Sequence, residues 1–295
     1  MTRKQNCLTA VLIMLALGGC RDEQKVKAEQ DTLVNSSLDN IVAVKGGHFQ
    51  MGDFGPLIGE KLPFSADRDN KPLHPIELSD FRIGKYRVTW GEFNRWLVIQ
   101  GQGQNDYYQE IMNDKDPDYA PLKIALGDSY PASASWNDAR SYCLWLGQMS
   151  HRHIDLPTEA QWEYAARSRG QFLIFGNSDN WFHYENDEAR NTAPSAENRP
   201  VGSYAPNPLG LYDMQGNGTD WIKDWYAVDY YHHSSAKDPV GPAKGNKRVI
   251  RGTHHDAGGG YTITRGSMAQ DKVLGPPSTS SGFRCAENDL PTKNE

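Results

Sequence analysis

The stretch Leu156-Pro157-Thr158-Glu159-Ala160-Gln161-Trp162-Glu163-Tyr164 carries a helix start and a large apolar anchor within nine residues. Thr158 followed three residues later by Gln161 forms a capping box, in which hydroxyl and amide satisfy free N–H groups at a helix start. The spacing predicts a helix from Thr158 with Trp162, Ala165 and Ala166 facing inward. Working outward, Thr89-x-x-Glu92 opens a second helix through about Ile99, with Phe93 and Leu97 one turn apart. Ser135-x-x-Asp138 opens a third, where Ala139, Tyr142, Cys143 and Leu146 repeat at the interval of one buried helical face. Short strands are expected near Ile41–Val44, Phe81–Tyr86 and Arg248–Arg251. Between these elements, turn signals such as Asp53-Phe54-Gly55, Pro206-Asn207-Pro208 and Gly258-Gly259-Gly260 dominate. The pattern is α+β with long irregular stretches.

The chain has 295 residues, 38% of them hydrophobic, enough for a substantial core. Lys+Arg number 31 against 37 Asp+Glu, a formal charge of −6 that argues against a nucleic-acid partner. From Asn40 to about Ala286, Trp, Tyr and Gly are evenly spread with no second linker and no repeat, so one domain is expected over residues 41–290.

The amino end reads as an address. Arg3 and Lys4 precede an apolar run from Leu8 to Leu17, too short to cross the roughly 30 Å bilayer core. Leu17-Gly18-Gly19-Cys20 then gives way to the polar Arg21-Asp22-Glu23. This order resembles a bacterial lipoprotein signal: residues 1–19 removed, acyl chains (palmitate among them) on Cys20, and Arg21 favouring the outer over the inner membrane. The alternative is a buried N-terminal helix. Residues 20–40 would be the lipidated cysteine and a flexible tether, since they are polar and show no apolar period. Of the four cysteines, Cys7 would leave with the signal and Cys20 would carry lipid. Cys143 and Cys285 remain, an even count suggesting one disulfide in an oxidising compartment or else two buried thiols.

Beyond these local signals the motifs resemble, in order, those of the formylglycine-generating (sulfatase-modifying factor) family. They are Gly46-Gly47-His48-Phe49-Gln50-Met51-Gly52, His74-Pro75-Ile76-Glu77-Leu78, Ile83-Gly84-Lys85-Tyr86-Arg87-Val88-Thr89, and Ser135-Trp136-Asn137-Asp138-Ala139 with Tyr142-Cys143. The 156–164 stretch, Gly210-Leu211-Tyr212-Asp213-Met214, Gly216-Asn217, Arg251-Gly252 and Gly282-Phe283-Arg284-Cys285 complete the series. The resemblance covers about residues 41–287 and implies an irregular α+β fold related to C-type lectins. It also implies that Cys143 and Cys285 are linked, and that a second family disulfide is missing at both of its positions, near Ala166 and Gly266.

The resemblance implies a chemistry that the residues do not supply. The family oxidises a substrate cysteine with copper held by two active-site cysteines, whose positions fall on about Asp256 and Tyr261. Copper(I) favours soft thiolates, and neither carboxylate nor phenol is one. His254-His255-Asp256 occupies the vacated stretch. If it is extended, His254 and Asp256 share a face and would begin an iron or zinc site, with His232, His233 or Asp271 as a third ligand. The alternative is a polar cleft lining. Tyr261 and Arg265 are candidates for binding an anionic or peptide ligand, against a packed aromatic and a salt-bridged arginine.

The resemblance also implies a structural calcium ion held by Asp213, the carbonyls of Gly216 and Gly218, and Asp220, completed by further oxygens. The alternative is a hydrogen-bonded turn. A second family calcium site near Asn191 and Thr192 lacks its acidic ligand. Three functions follow. The first is a lipid-anchored binding module for an envelope protein or peptide, facing the periplasm. The second is a periplasmic oxidoreductase of the pyoverdine-maturation type, with a redox metal not identified by sequence. The third, a true formylglycine generator, is disfavoured by the missing thiols.

Overall fold

A computed structural model describes residues 23–177, 179–180, 199–252, 261–275 and 281–288. The expected helices form where their caps place them. Helix α2 (Trp90–Ile99) starts at Thr89, whose hydroxyl accepts from Glu92 N while Glu92 accepts from Thr89 N. Helix α5 (Trp136–Ser150) starts at Ser135 and α6 (Glu159–Ala166) at Thr158, the latter with the full capping box. Two further helices, α3 (Asp106–Asn113) and α4 (Ala120–Ile124), lie between α2 and α5.

The amino-terminal segment departs from expectation. Residues 23–39 are helical (α1) rather than a flexible tether. Its first half is exposed, with Lys27 bonded to Asp31 one turn on at 3.2 Å. In its second half Leu33 and Val34 are buried and Leu38 packs against the core they enter. Ser37 also meets the Tyr142 hydroxyl at 3.1 Å. Three apolar side chains in a polar stretch suffice because tertiary packing, not periodicity along the whole helix, holds it.

Three small sheets frame the helices. The first orders β1 (Ile41–Val44), β4 (Phe81–Gly84), β10 (Ala286–Asn288) and β5 (Ile154–Asp155). The second pairs β2 (Gly47–Met51) with β3 (His74–Leu78). The third orders β8 (Gly266–Met268), β7 (Arg248–Arg251), β6 (Thr219–Trp225) and β9 (Ser281–Gly282), β6 and β9 running parallel. The first and last strands of the domain thus share one sheet, β1 and β10 pairing with opposite sides of β4.

One large cluster packs α1, α2 and α5 around Trp90, Phe93, Trp96, Tyr142 and Phe283. A second packs α6 against β2 and β3 around Trp162, Phe49, Ile76 and Tyr164. The disulfide Cys143–Cys285 is present, with Cα atoms 5.4 Å apart, and ties α5 to the turn before β10 beside Tyr142 and Phe283. Among the described residues no helix is long and apolar enough to cross a membrane. The signal, Cys7 and Cys20 lie outside the described residues.

Candidate functional site

Helix α6 is buried on all sides, charged residues included. Its sequence therefore demands counter-ions from other elements, because an unpaired buried carboxylate is strongly unfavourable. Glu159 Oε1 accepts from Arg265 Nε at 2.7 Å and from Arg251 Nη1 at 3.0 Å, and its Oε2 accepts from Arg265 Nη2 at 3.0 Å. Glu163 accepts from Arg251 Nη2 at 2.7 Å, from Arg167 Nη1 at 2.8 Å and from Gly52 N at 2.9 Å. Burial pushes the Glu159 carboxyl up, but the Arg265 and Arg251 charges outweigh it and hold the group below the usual carboxylate range. Arg251 also donates to Thr262 O, joining the last described residues before the 253–260 segment to the first after it.

This network corrects the expectation for Arg265. The side chain is buried, bidentate on Glu159 and stacked 4.4 Å from the Tyr231 ring centroid, so it faces a carboxylate inside the protein rather than an anionic ligand. Beside it stands a polar pair the sequence did not single out. His74 and Tyr231 have ring centroids 4.5 Å apart, and His74 Nε2 and the Tyr231 hydroxyl find no partner among the described residues. Burial lowers the His74 pKa, and its Nδ1 lies 3.0 Å from Pro72 O. A neutral ring with its proton on Nδ1 leaves Nε2 as an acceptor.

Tyr261 is half-buried in an aromatic cluster, with ring centroids 5.7 Å from Phe175 and 6.3 Å from Phe64. Phe54, fully buried, lies 5.3 Å from both Phe64 and Phe172. Phe64 and Phe172 remain 37% and 42% exposed, and Leu57 and Leu62 of the same loop 51% and 67%. An apolar, aromatic surface therefore surrounds Tyr261. Tyr261 serves it as packing. No sequence period marks this patch, because its members come from loops.

His254 and Asp256 lie outside the described residues, as do Asn191 and Thr192. His232, His233 and Asp271 are exposed, and among the described residues no group of three or more His, Cys, Asp or Glu side chains is placed to hold a metal ion. Copper as the family binds it does not fit these donors. Cys143 and Cys285 are spent on the disulfide, and Tyr261, near where the resemblance puts one of the two thiols, is a packed phenol.

The four expected calcium ligands lie on the turn into β6 and at its start, and two of them, Gly216 O and Asp220, are held by arginine. Asp220 is fully buried and accepts from Arg87 Nε at 3.1 Å, Arg284 Nε at 3.1 Å and Trp162 Nε1 at 2.9 Å. Gly216 O accepts from Arg87 Nη1 at 2.8 Å. Burial pushes the Asp220 carboxyl up, yet the Arg284 and Arg87 charges prevail and hold it low. Asp213, at a left-handed φ of 55°, accepts from Gly202 N at 3.1 Å through Oδ2, while Oδ1 is buried with no partner among the described residues. Its carboxyl is pushed up, burial here exceeding the pull of Arg87. Calcium takes six to eight oxygens, and here Arg87 already occupies Gly216 O and both oxygens of Asp220. The set as arranged is an arginine site. Asp213, Gly216, Gly218 and Asp220 lie together on this turn and the start of β6, with Arg87 on two of them.

Comparison with known proteins agrees with the motif order. The sulfatase-modifying factor enzyme 1-like domain matches residues 26–289. The formylglycine-generating enzyme of Bos taurus is 36% identical over 304 residues, covering 85% of this chain and 75% of that protein. Serine/threonine-protein kinase pkn1 of Chlamydia pneumoniae is 31% identical over 270 residues, covering 85% of this chain. The chain spans only 38% of that kinase's length. Among solved structures, PvdO from Pseudomonas aeruginosa superposes with a TM-score of 0.64 at 26% identity, covering 84% of this chain and 94% of PvdO. The chain belongs to the sulfatase-modifying factor enzyme 1-like family, that of the formylglycine-generating enzymes.

Proposed function

We propose that this protein is a lipid-anchored binding module of the bacterial envelope. It would hold an extended segment of an envelope protein against the Phe64–Phe172 face without oxidising it. The observation that carries this reading is the partly exposed aromatic surface around Tyr261, at a site with no thiolate to hold copper. Exposed aromatics offer large contact area at low entropic cost and suit apolar side chains of a peptide. Lipid on Cys20 would place the surface in the periplasm, with α1 standing directly between anchor and domain.

Selection of displayed random peptides on the purified mature protein tests it. Selected peptides should bind the Phe64→Ser/Phe172→Ser double variant at least about tenfold more weakly, as loss of aromatic anchors implies. Unchanged binding, or no selected peptide, would overturn the proposal.

The donors of His254-His255-Asp256 allow a second reading, a periplasmic oxidoreductase with a metal near His254 and Asp256. Metal analysis of the wild type and His254→Ala decides it. A redox metal bound one to one and lost in the variant would replace the binding reading. Calcium does not enter either reading, because Arg87 already engages Gly216 O and Asp220.

A further inference from the structure

We infer that the Arg87 guanidinium stands where the family's calcium ion would sit, so that an internal arginine organises this turn and the fold has no calcium requirement. The contacts are those expected of a cation among these oxygens. Arg87 donates to Asp220 Oδ1 at 3.1 Å, Asp220 Oδ2 at 3.3 Å, Gly216 O at 2.8 Å and Asn217 O at 3.0 Å. It thereby engages two of the four groups the resemblance assigns to calcium, Gly216 O and Asp220, together with Asn217 O between them.

Two motif glycines make room for the arginine. A Cβ on Gly252 would lie 2.9 Å from Arg87 Nη2, and one on Gly282 would lie 3.0 Å from Arg87 Cδ. The guanidinium is therefore threaded between two backbones and is fully buried there.

Charge balance points the same way. Arg87 and Arg284 face Asp213 and Asp220, two cations against two carboxylates, all buried. A divalent ion added to this set would leave two uncompensated positive charges in the interior, beside two guanidinium groups. Burial of unpaired charge at that scale is prohibitive.

The test is thermal unfolding and calcium titration of the purified mature protein, with Arg87→Gln and Arg87→Lys alongside. For the wild type, the Tm in EDTA and in millimolar calcium should agree within about 1 °C, with no calorimetric binding. Arg87→Gln should unfold at lower temperature and regain part of the loss in calcium but not in magnesium, because its carboxylates and carbonyls are released. Arg87→Lys, which keeps the charge without the fork, should fall between them and ignore calcium. A wild type that binds one calcium ion, or whose Tm drops by several degrees in EDTA, overturns the inference. So does an Arg87→Gln variant as stable as the wild type. Should Arg87→Gln fail to accumulate, the wild-type titration decides alone.

Discussion

Arg265 and Glu159 meet through two hydrogen bonds of 2.7 and 3.0 Å across 106 residues of sequence. The pair fixes the strand region after Thr262 against the start of α6, and it explains why Arg265 is unavailable to a ligand. Arg265→Met should remove about 3 kcal/mol of stability, because Glu159 keeps only Arg251 in the interior. Urea unfolding at pH 7 measures it. A loss below about 0.5 kcal/mol, as for a surface pair, would show that the network is not a structural element.

Acid should weaken the fold through the same groups. Glu159 and Asp220 are pushed up by burial but held below the usual carboxylate range by Arg265 and Arg251, and by Arg284 and Arg87. A depressed folded pKa gives stability that is complete above the unfolded value of about 4 and is lost as pH falls toward the folded one. The Tm should therefore fall steadily between about pH 4.5 and pH 3. A Tm that stays flat through that window would contradict the pairing.

Asp224 behaves in the opposite sense. Burial pushes its carboxyl well above the usual range, with Glu159 adding to the shift, and Oδ1 has no partner among the described residues. The folded state keeps a proton that the unfolded chain releases above about pH 4, so this group costs stability as pH rises. Asp224→Asn should raise the Tm at pH 7 by about 2 °C or more, and the gain should vanish near pH 4. A gain of equal size at both pH values would point to packing instead of protonation.

Helix α1 and the disulfide make separable contributions. Leu33→Ala, at a fully buried site, should cost about 2–5 kcal/mol, whereas Val26→Ala, at a site 41% exposed on the same helix, should cost almost nothing. Cys143→Ala/Cys285→Ala should cost about 2–5 kcal/mol on top. Equal, negligible effects of Leu33→Ala and Val26→Ala would restore the tether.

What could be read beforehand was local. Thr89, Ser135 and Thr158 declare their helices through hydroxyls and the residues three positions on, and the β-branched residues of Ile41–Val44 and Arg248–Arg251 declare their strands. Helix α1 was illegible because only Leu33, Val34 and Leu38 touch the core, too few for a period. Strands as short as β9 and β10 exist through pairing with distant β6, β4 and β5. At the site, the loss of thiols was visible as a missing residue type. The Phe64–Phe172 face and the duties of Arg87 and Arg265 were not, since each is defined by neighbours far away in the chain.

The most direct measurement concerns the missing chemistry. Copper(I)-treated mature protein is incubated in air with a sulfatase-type cysteine peptide, and aldehyde is captured with a hydrazide and quantified. No aldehyde above a copper-only control is the expected result, because the only cysteines of the folded domain are joined as Cys143–Cys285. Catalytic turnover to formylglycine would contradict a scaffold that keeps the family's fold without its thiol chemistry.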